Sequence, residues 1–262
     1  MGIKINLNSP YDSFPAEYGS GGGVVNFYVD NFVMTDRPES HSIALLVEPR
    51  AIQPRVYDWI RVNYAKYKYV FTFDNMLLNV LPNAKLLIYG QITAEFPDKK
   101  TKDISMVCSD KGFCEGHNNR KRTATRLKSI IDTYGKFDGG SFADDKDIYS
   151  GYRFNVAMEN YSDGYYFTEK ICNCFASKVI PIYWGCPHIG EYFDTRGIIQ
   201  VENPDNIPTI VQAILQTGTE EIYNSRLEAI ENNFKTVQKY RSYAKLFLET
   251  YGDLLEELAN DT

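Results

Sequence analysis

The sequence predicts an α/β protein with two domains built on parallel sheets. Three observations carry that expectation. Short apolar runs recur along the chain, segments with helical rhythm separate them, and the polar stretch Thr93 to Asp103 (TAEFPDKKTKD) carries a proline and no periodicity. With 262 residues there is length for one large domain or two modest ones. Taking Thr93 to Asp103 as a hinge gives domains at 1–100 and 101–262.

In the first domain, Ile3 to Leu7 reads as a strand, followed by the glycine-rich run Gly19 to Gly23 and a second strand, Val24 to Val29. Ser42 to Val47 is continuously apolar and stops at Glu48-Pro49, as a central strand covered on both faces does. Val56 to Tyr67 has helical rhythm, and Tyr69 to Phe73 and Ala84 to Tyr89 return to strand. The second domain opens with strand Ile104 to Cys108. Arg120 to Tyr134 then reads as a helix closed by Gly135. Phe154 to Met158, Val179 to Trp184 and Gly197 to Val201 are strands, with helices at Thr168 to Ser177 and Ile207 to Gln216. From Glu220 the chain is helical. Ile230, Phe234 and Val237 share one face, and so do Ala244, Phe247, Leu248 and Tyr251.

Composition excludes some functions. A net charge of −6 does not suit a non-specific nucleic-acid binder, which needs a basic surface. No run approaches the ~18 apolar residues of a membrane span, and the start of the chain lacks a signal-peptide core. Five cysteines (Cys108, Cys114, Cys172, Cys174, Cys186) without paired spacing suggest reduced thiols and a cytoplasmic protein. The sequon Asn160-Tyr161-Ser162 is then silent, and three scattered histidines argue against zinc. Twenty tyrosines suit a sugar or nucleotide site, although a tyrosine-rich core explains them as well.

Residues 154–184 form one strand–helix–strand unit, near the ~30 residues of a βαβ crossover. The loop Asn160 to Phe167 follows the first strand's carboxyl end, where open α/β sheets place ligands. Thr168 is a candidate N-cap, which puts Glu169 and Lys170 in the first helical turn. Free N–H groups there attract a diphosphate, Lys170 adds a charge, and Glu169 can accept two ribose hydroxyls. A solvated Glu-Lys pair is the ordinary alternative.

Asn155 to Pro187 closely resembles the donor-binding motif of the α1,3-fucosyltransferases, glycosyltransferase family 10. The matching residues are Glu159-Asn160, then Tyr166-Phe-Thr-Glu169-Lys170, then Ile180-Pro-Ile-Tyr-Trp-Gly185 with Pro187, in order and spacing. The resemblance implies a GT-B fold, with two Rossmann-like α/β domains facing a central cleft. The first would serve the acceptor and the second the nucleotide sugar. It implies an inverting transfer of L-fucose from GDP-fucose to a glycan hydroxyl, without metal or other cofactor. Asn160, Tyr166, Glu169 and Lys170 would contact the donor.

The family also carries an arginine opening a helix upstream, matched here by Arg120, with Arg122 as rival. A guanidinium on the leaving diphosphate would replace a metal. Its general base is a carboxylate ending an apolar strand, matched by Glu48; Glu17 and Glu39 are weaker candidates. Asp145-Lys-Asp147 spells the DxD of metal-dependent transferases, but it does not end an apolar strand. Trp184 reads as packing, and the Gly19 to Gly23 run as a turn. Against the family the first domain is short, with fewer than fifty residues before Glu48 and neither a membrane anchor and stem nor a basic repeat tail. A reduced acceptor platform is the expectation. A relative using another nucleotide sugar, or a carbohydrate-binding relative without catalysis, is the alternative.

Overall fold

Apolar runs become strands wherever parallel neighbours can cover both of their faces. The computed structural model describes residues 2–11, 14–20 and 22–260; Gly21 of the glycine-rich run lies outside the described residues. The chain divides into two units. The first comprises Met1–Tyr89, Asp163–Tyr166 and Ser242–Thr262, the second Gly90–Ser162 and Phe167–Arg241.

Unit 1 carries strands β1 (Ile3–Asn8), β2 (Glu17–Tyr18), β3 (Val24–Val29), β4 (Ser42–Leu45), β5 (Tyr69–Thr72) and β6 (Ala84–Leu86). Their order is β2-β1-β3-β4-β5-β6; β2 is antiparallel to β1, and the remaining pairs are parallel. Helices α1 (Pro54–Asn63) and α2 (Asn75–Val80) connect the later strands. Pro54 opens α1, and the Asp74 carboxylate caps α2 by accepting from Leu77 N–H at 2.9 Å. One face of the sheet is covered by α1, through Val56, Tyr57 and Ile60.

The other face is covered by the chain's last helix, Tyr243–Asn260. Sequence reading groups this helix with the second domain. Here Phe247 meets Phe14, Phe27 and Phe71 edge-on, and the Tyr251 hydroxyl donates to Leu86 C=O at 2.6 Å. Rings of this size bury more apolar area against the aromatic sheet face than any exposed alternative offers. The division also falls at Tyr89–Gly90, ahead of the Thr93 to Asp103 stretch. The short segment Asp163–Tyr166 joins unit 1 because Asn75 N–H donates to Asp163 Oδ1 at 3.2 Å and the Tyr166 ring lies 4.6 Å from Phe73.

Unit 2 carries β7 (Lys102–Val107), β8 (Asp132–Tyr134), β9 (Tyr152–Met158), β10 (Ile180–Trp184) and β11 (Ile199–Gln200), ordered β11-β10-β9-β7-β8 and parallel throughout. Its helices are α3 (Glu115–Leu127), α4 (Asp145–Tyr149), α5 (Glu169–Ala176), α6 (Ile207–Thr217), α7 (Thr219–Asn224) and α8 (Leu227–Val237). The helix expected from Arg120 to Tyr134 starts at Glu115 and ends at Leu127 instead. Asp132–Tyr134 becomes an edge strand, because its backbone pairs in parallel with β7, Asp132 opposite Ser105 and Tyr134 opposite Val107; the Tyr152 hydroxyl also bonds the Asp132 and Tyr134 side chains at 2.7 Å. A cross-strand pairing of this kind overrides local helical rhythm.

Candidate active site

In unit 2 the carboxyl ends of β7 and β9 lie side by side, and the first turns of α3 and α5 begin near them. Two glycines permit this closeness. A Cβ on Gly116, in the first turn of α3, would sit 2.1 Å from Asn160 O, and one on Gly185 would sit 2.4 Å from Glu159 Cγ.

Glu159, directly after β9, is wholly buried and organises the start of α5. Its Oε1 accepts from Thr168 N–H at 2.9 Å, and its Oε2 accepts from the Thr168 hydroxyl at 2.8 Å. Lys170 Nζ stands 3.2 Å from the same Oε2, 3.1 Å from Glu169 Oε1 and 2.9 Å from Thr168 Oγ1. Thr168 caps the helix as expected, accepting from Lys170 N–H. Burial pushes the Lys170 ammonium down, but the charges of Glu159 and Glu169 outweigh it and hold the group above its ordinary value. Burial likewise pushes the Glu169 carboxyl up, while Lys170 draws it below the usual carboxylate range. Lys170 is therefore paired with two carboxylates, Glu159 and Glu169. Sequence reading gave Glu159 no role, although a carboxylate ending a buried apolar strand is itself a signal.

Arg120 is buried on α3. It donates to Asn160 Oδ1 at 2.8 Å and Met158 C=O at 3.3 Å, and its Nε has no hydrogen-bond partner. Arg122 is half-exposed and pairs with Asp205 at 3.9 Å. A cavity of about 420 Å³ opens beside Arg120, lined also by Ser109, Asp145, Glu169, Lys170 and Asn173. Burial and the charges of Arg120, Lys111, Lys170 and Lys121 push His117 down to about 4. Burial is the first cause, and the neighbouring guanidinium and ammonium groups add a positive field at this end of the sheet. A buried guanidinium lining a cavity in such a field suits an anionic ligand.

Asp145 and Asp147 lie on α4, and only Asp145 lines the cavity; burial, with Asp144 and Glu169 nearby, pushes its carboxyl up. Among the described residues, no cluster of three or more His, Cys, Asp or Glu side chains could hold a metal ion. No described helix is long and apolar enough to cross a membrane. None of the five cysteines forms a disulfide, and all are buried.

The remaining site candidates belong to unit 1. Glu48 lies just past β4, half-buried, and its Oε1 accepts from the Tyr11 hydroxyl at 3.4 Å. Glu17 is exposed on β2, and Glu39 is exposed before β4, at the opposite end of the parallel strands. Tyr166 is buried against Phe73. The structure thus joins Arg120, Asn160, Glu169 and Lys170 within unit 2, while Glu48 and Tyr166 sit in unit 1.

The family model for the C-terminal part of glycosyltransferase family 10 (fucosyltransferase) matches residues 97–247, over half the chain. The chain belongs to glycosyltransferase family 10. The α-(1,3)-fucosyltransferase FucT of Helicobacter pylori is 34% identical over 85 residues, 32% of this chain and 17% of that protein. The putative fucosyltransferase R654 of Acanthamoeba polyphaga mimivirus is 32% identical over 80 residues, 30% of this chain and 13% of that protein. The matched segment therefore spans less than a fifth of either family relative. In fold, the family 10 chain resembles a solved α1,3-fucosyltransferase bound to GDP, with a TM-score of 0.59 and 15% identity over 100% of this chain and 92% of that one. The structure of TarM scores 0.59 at 10% identity, covering 88% of this chain and 54% of that one. Two parallel-sheet α/β units of GT-B type are the shared architecture.

Proposed function

We propose that this family 10 chain transfers L-fucose from GDP-fucose to a hydroxyl of a glycan acceptor, with inversion and without a metal. The observation that carries the reading is the buried Arg120, its Nε unpartnered, beside the cavity at the carboxyl edge of unit 2. A solved structure of similar fold holds GDP, which supports a guanine nucleotide here.

In this reading unit 2 binds the donor and unit 1 serves the acceptor. Glu48 takes the proton of the attacking hydroxyl, whose oxygen forms the new bond at the anomeric carbon. The bond from that carbon to the diphosphate breaks, and GDP leaves with the electron pair. Arg120 and the first turn of α5 stabilise the charge that collects on the departing phosphate. Glu169 accepts from the ribose hydroxyls, Asn160 holds the Arg120 guanidinium toward the phosphate, and Tyr166 is the remaining donor contact. Buried thiols suit a reducing compartment such as the cytoplasm.

A donor-hydrolysis screen tests this without choosing an acceptor. GDP-fucose is expected to release fucose and GDP at a rate that EDTA leaves unchanged, ahead of GDP-mannose and UDP-sugars. Turnover confined to a UDP-sugar would overturn the donor. An activity lost in EDTA and restored by Mn²⁺ would return a metal role to Asp145 and Asp147.

A further inference from the structure

Asp30 follows β3 directly, at the carboxyl edge of the unit 1 sheet, and its backbone is left-handed with φ 51°. Few side-chain-bearing residues adopt that conformation, and it concentrates where a structure over-determines a functional group. The residue is 1% exposed. Its Oδ1 accepts from Val47 N–H at 2.8 Å and from Glu48 N–H at 3.1 Å. Its Oδ2 is buried and has no hydrogen-bond partner.

We propose that Asp30 is a positioning residue for Glu48, fixing its backbone through Oδ1 and setting the charge beside its carboxylate by the proton state of Oδ2. The proposal rests on the reading of Glu48 as the general base. An uncharged acceptor would make the same two backbone bonds without burying an ionisable oxygen. Keeping a carboxyl there, with one oxygen bare, is costly unless its proton matters.

The groups facing Asp30 fit this role. Glu48 is the neighbouring carboxylate, and its C=O also accepts from the Tyr57 hydroxyl at 2.9 Å. Tyr11 donates to Glu48 from the β1–β2 connection, with Tyr243 of the last helix beside it. Arg50 and Asp74 are paired at 3.0 Å beside Tyr57. Burial pushes Asp30 up to about 7, against the two N–H bonds and reinforced by the charge of Glu48. Below that pH Asp30 is neutral. Above it, Asp30 places a second negative charge beside the carboxylate that is to take the acceptor proton, and that charge attracts the proton as it leaves the hydroxyl.

The test is GDP-fucose hydrolysis by the full chain, with kcat and KM measured across neutral pH for wild type, Asp30→Asn, Asp30→Ala and Glu48→Gln. In wild type, log kcat is expected to rise through an inflection near pH 7. Asp30→Asn removes the inflection and leaves KM unchanged, a change that a merely structural role would not produce. Asp30→Ala also loses the backbone clamp and lowers kcat by about 100-fold, the scale of a misplaced catalytic group. If Asp30→Ala does not fold, the pH profile of Asp30→Asn alone carries the test. An inflection retained in Asp30→Asn overturns the proposal while leaving Glu48 as base. Wild-type rates in Glu48→Gln would overturn the base reading and this proposal with it.

Discussion

Replacing Lys170 with alanine is expected to destabilise unit 2 by about 3–5 kcal/mol, well beyond the loss of one ligand contact. The reason is Glu159, which has no solvent exposure and has Lys170 as its counter-charge at 3.2 Å. Without the ammonium, the carboxylate keeps only its bonds from Thr168, and a buried charge stays uncompensated. Thr168 and Glu159 together set the start of α5, so the helix end that is to face the diphosphate should loosen as well. Thermal unfolding checks this, with a drop of ~10 °C expected for a unit of this size. Replacing both partners, Glu159→Gln with Lys170→Met, should recover much of that loss, because no unpaired charge is left behind. A Lys170→Ala chain that melts with wild type and merely binds GDP less tightly would reduce Lys170 to a phosphate ligand.

The second large effect is catalytic. Glu48→Gln should lower kcat for donor hydrolysis by ~10²–10⁴-fold, the usual contribution of a positioned general base. Glutamine keeps the shape of the side chain and can still accept from the Tyr11 hydroxyl, which lies 3.4 Å from Glu48 Oε1. GDP affinity and melting temperature should therefore stay at wild-type values. Rate at wild-type level in the variant would place the base elsewhere.

Most of the sheet was legible in the sequence because an apolar run between polar ends has few other uses in a globular domain. Val24–Val29 forms a strand with the bounds its composition suggests, and Thr168 caps α5 as its side chain allows. Long-range pairing was not legible. Asp132–Tyr134 is a strand through its backbone pairing with β7, Ser105 to Val107, more than twenty residues earlier in the chain. The last helix carries an apolar face that any sheet could cover, and only the aromatic cluster around Phe27 and Phe71 decides which sheet does.

The candidate site divides in the same way. Arg120, Asn160, Glu169 and Lys170 could be named from a motif, since their spacing survives in the linear chain. What each side chain pairs with could not be read there. Glu159 holding Lys170, and Asp30 holding the backbone of Glu48, are carboxylates after buried strands whose partners appear only once the sheets close. Arg120 differs from Arg122 in burial and in partners, and both follow from which face of α3 meets Met158 and Asn160.

Titration calorimetry of GDP against wild type and Arg120→Ala tests the central claim most directly. Wild type is expected to bind GDP, and Arg120→Ala to bind it more weakly by about 1.5–3 kcal/mol, the value of hydrogen bonds to a charged group, while melting as a folded protein. No heat from GDP in wild type, or equal affinity in the two chains, would contradict a guanine-nucleotide site organised on Arg120.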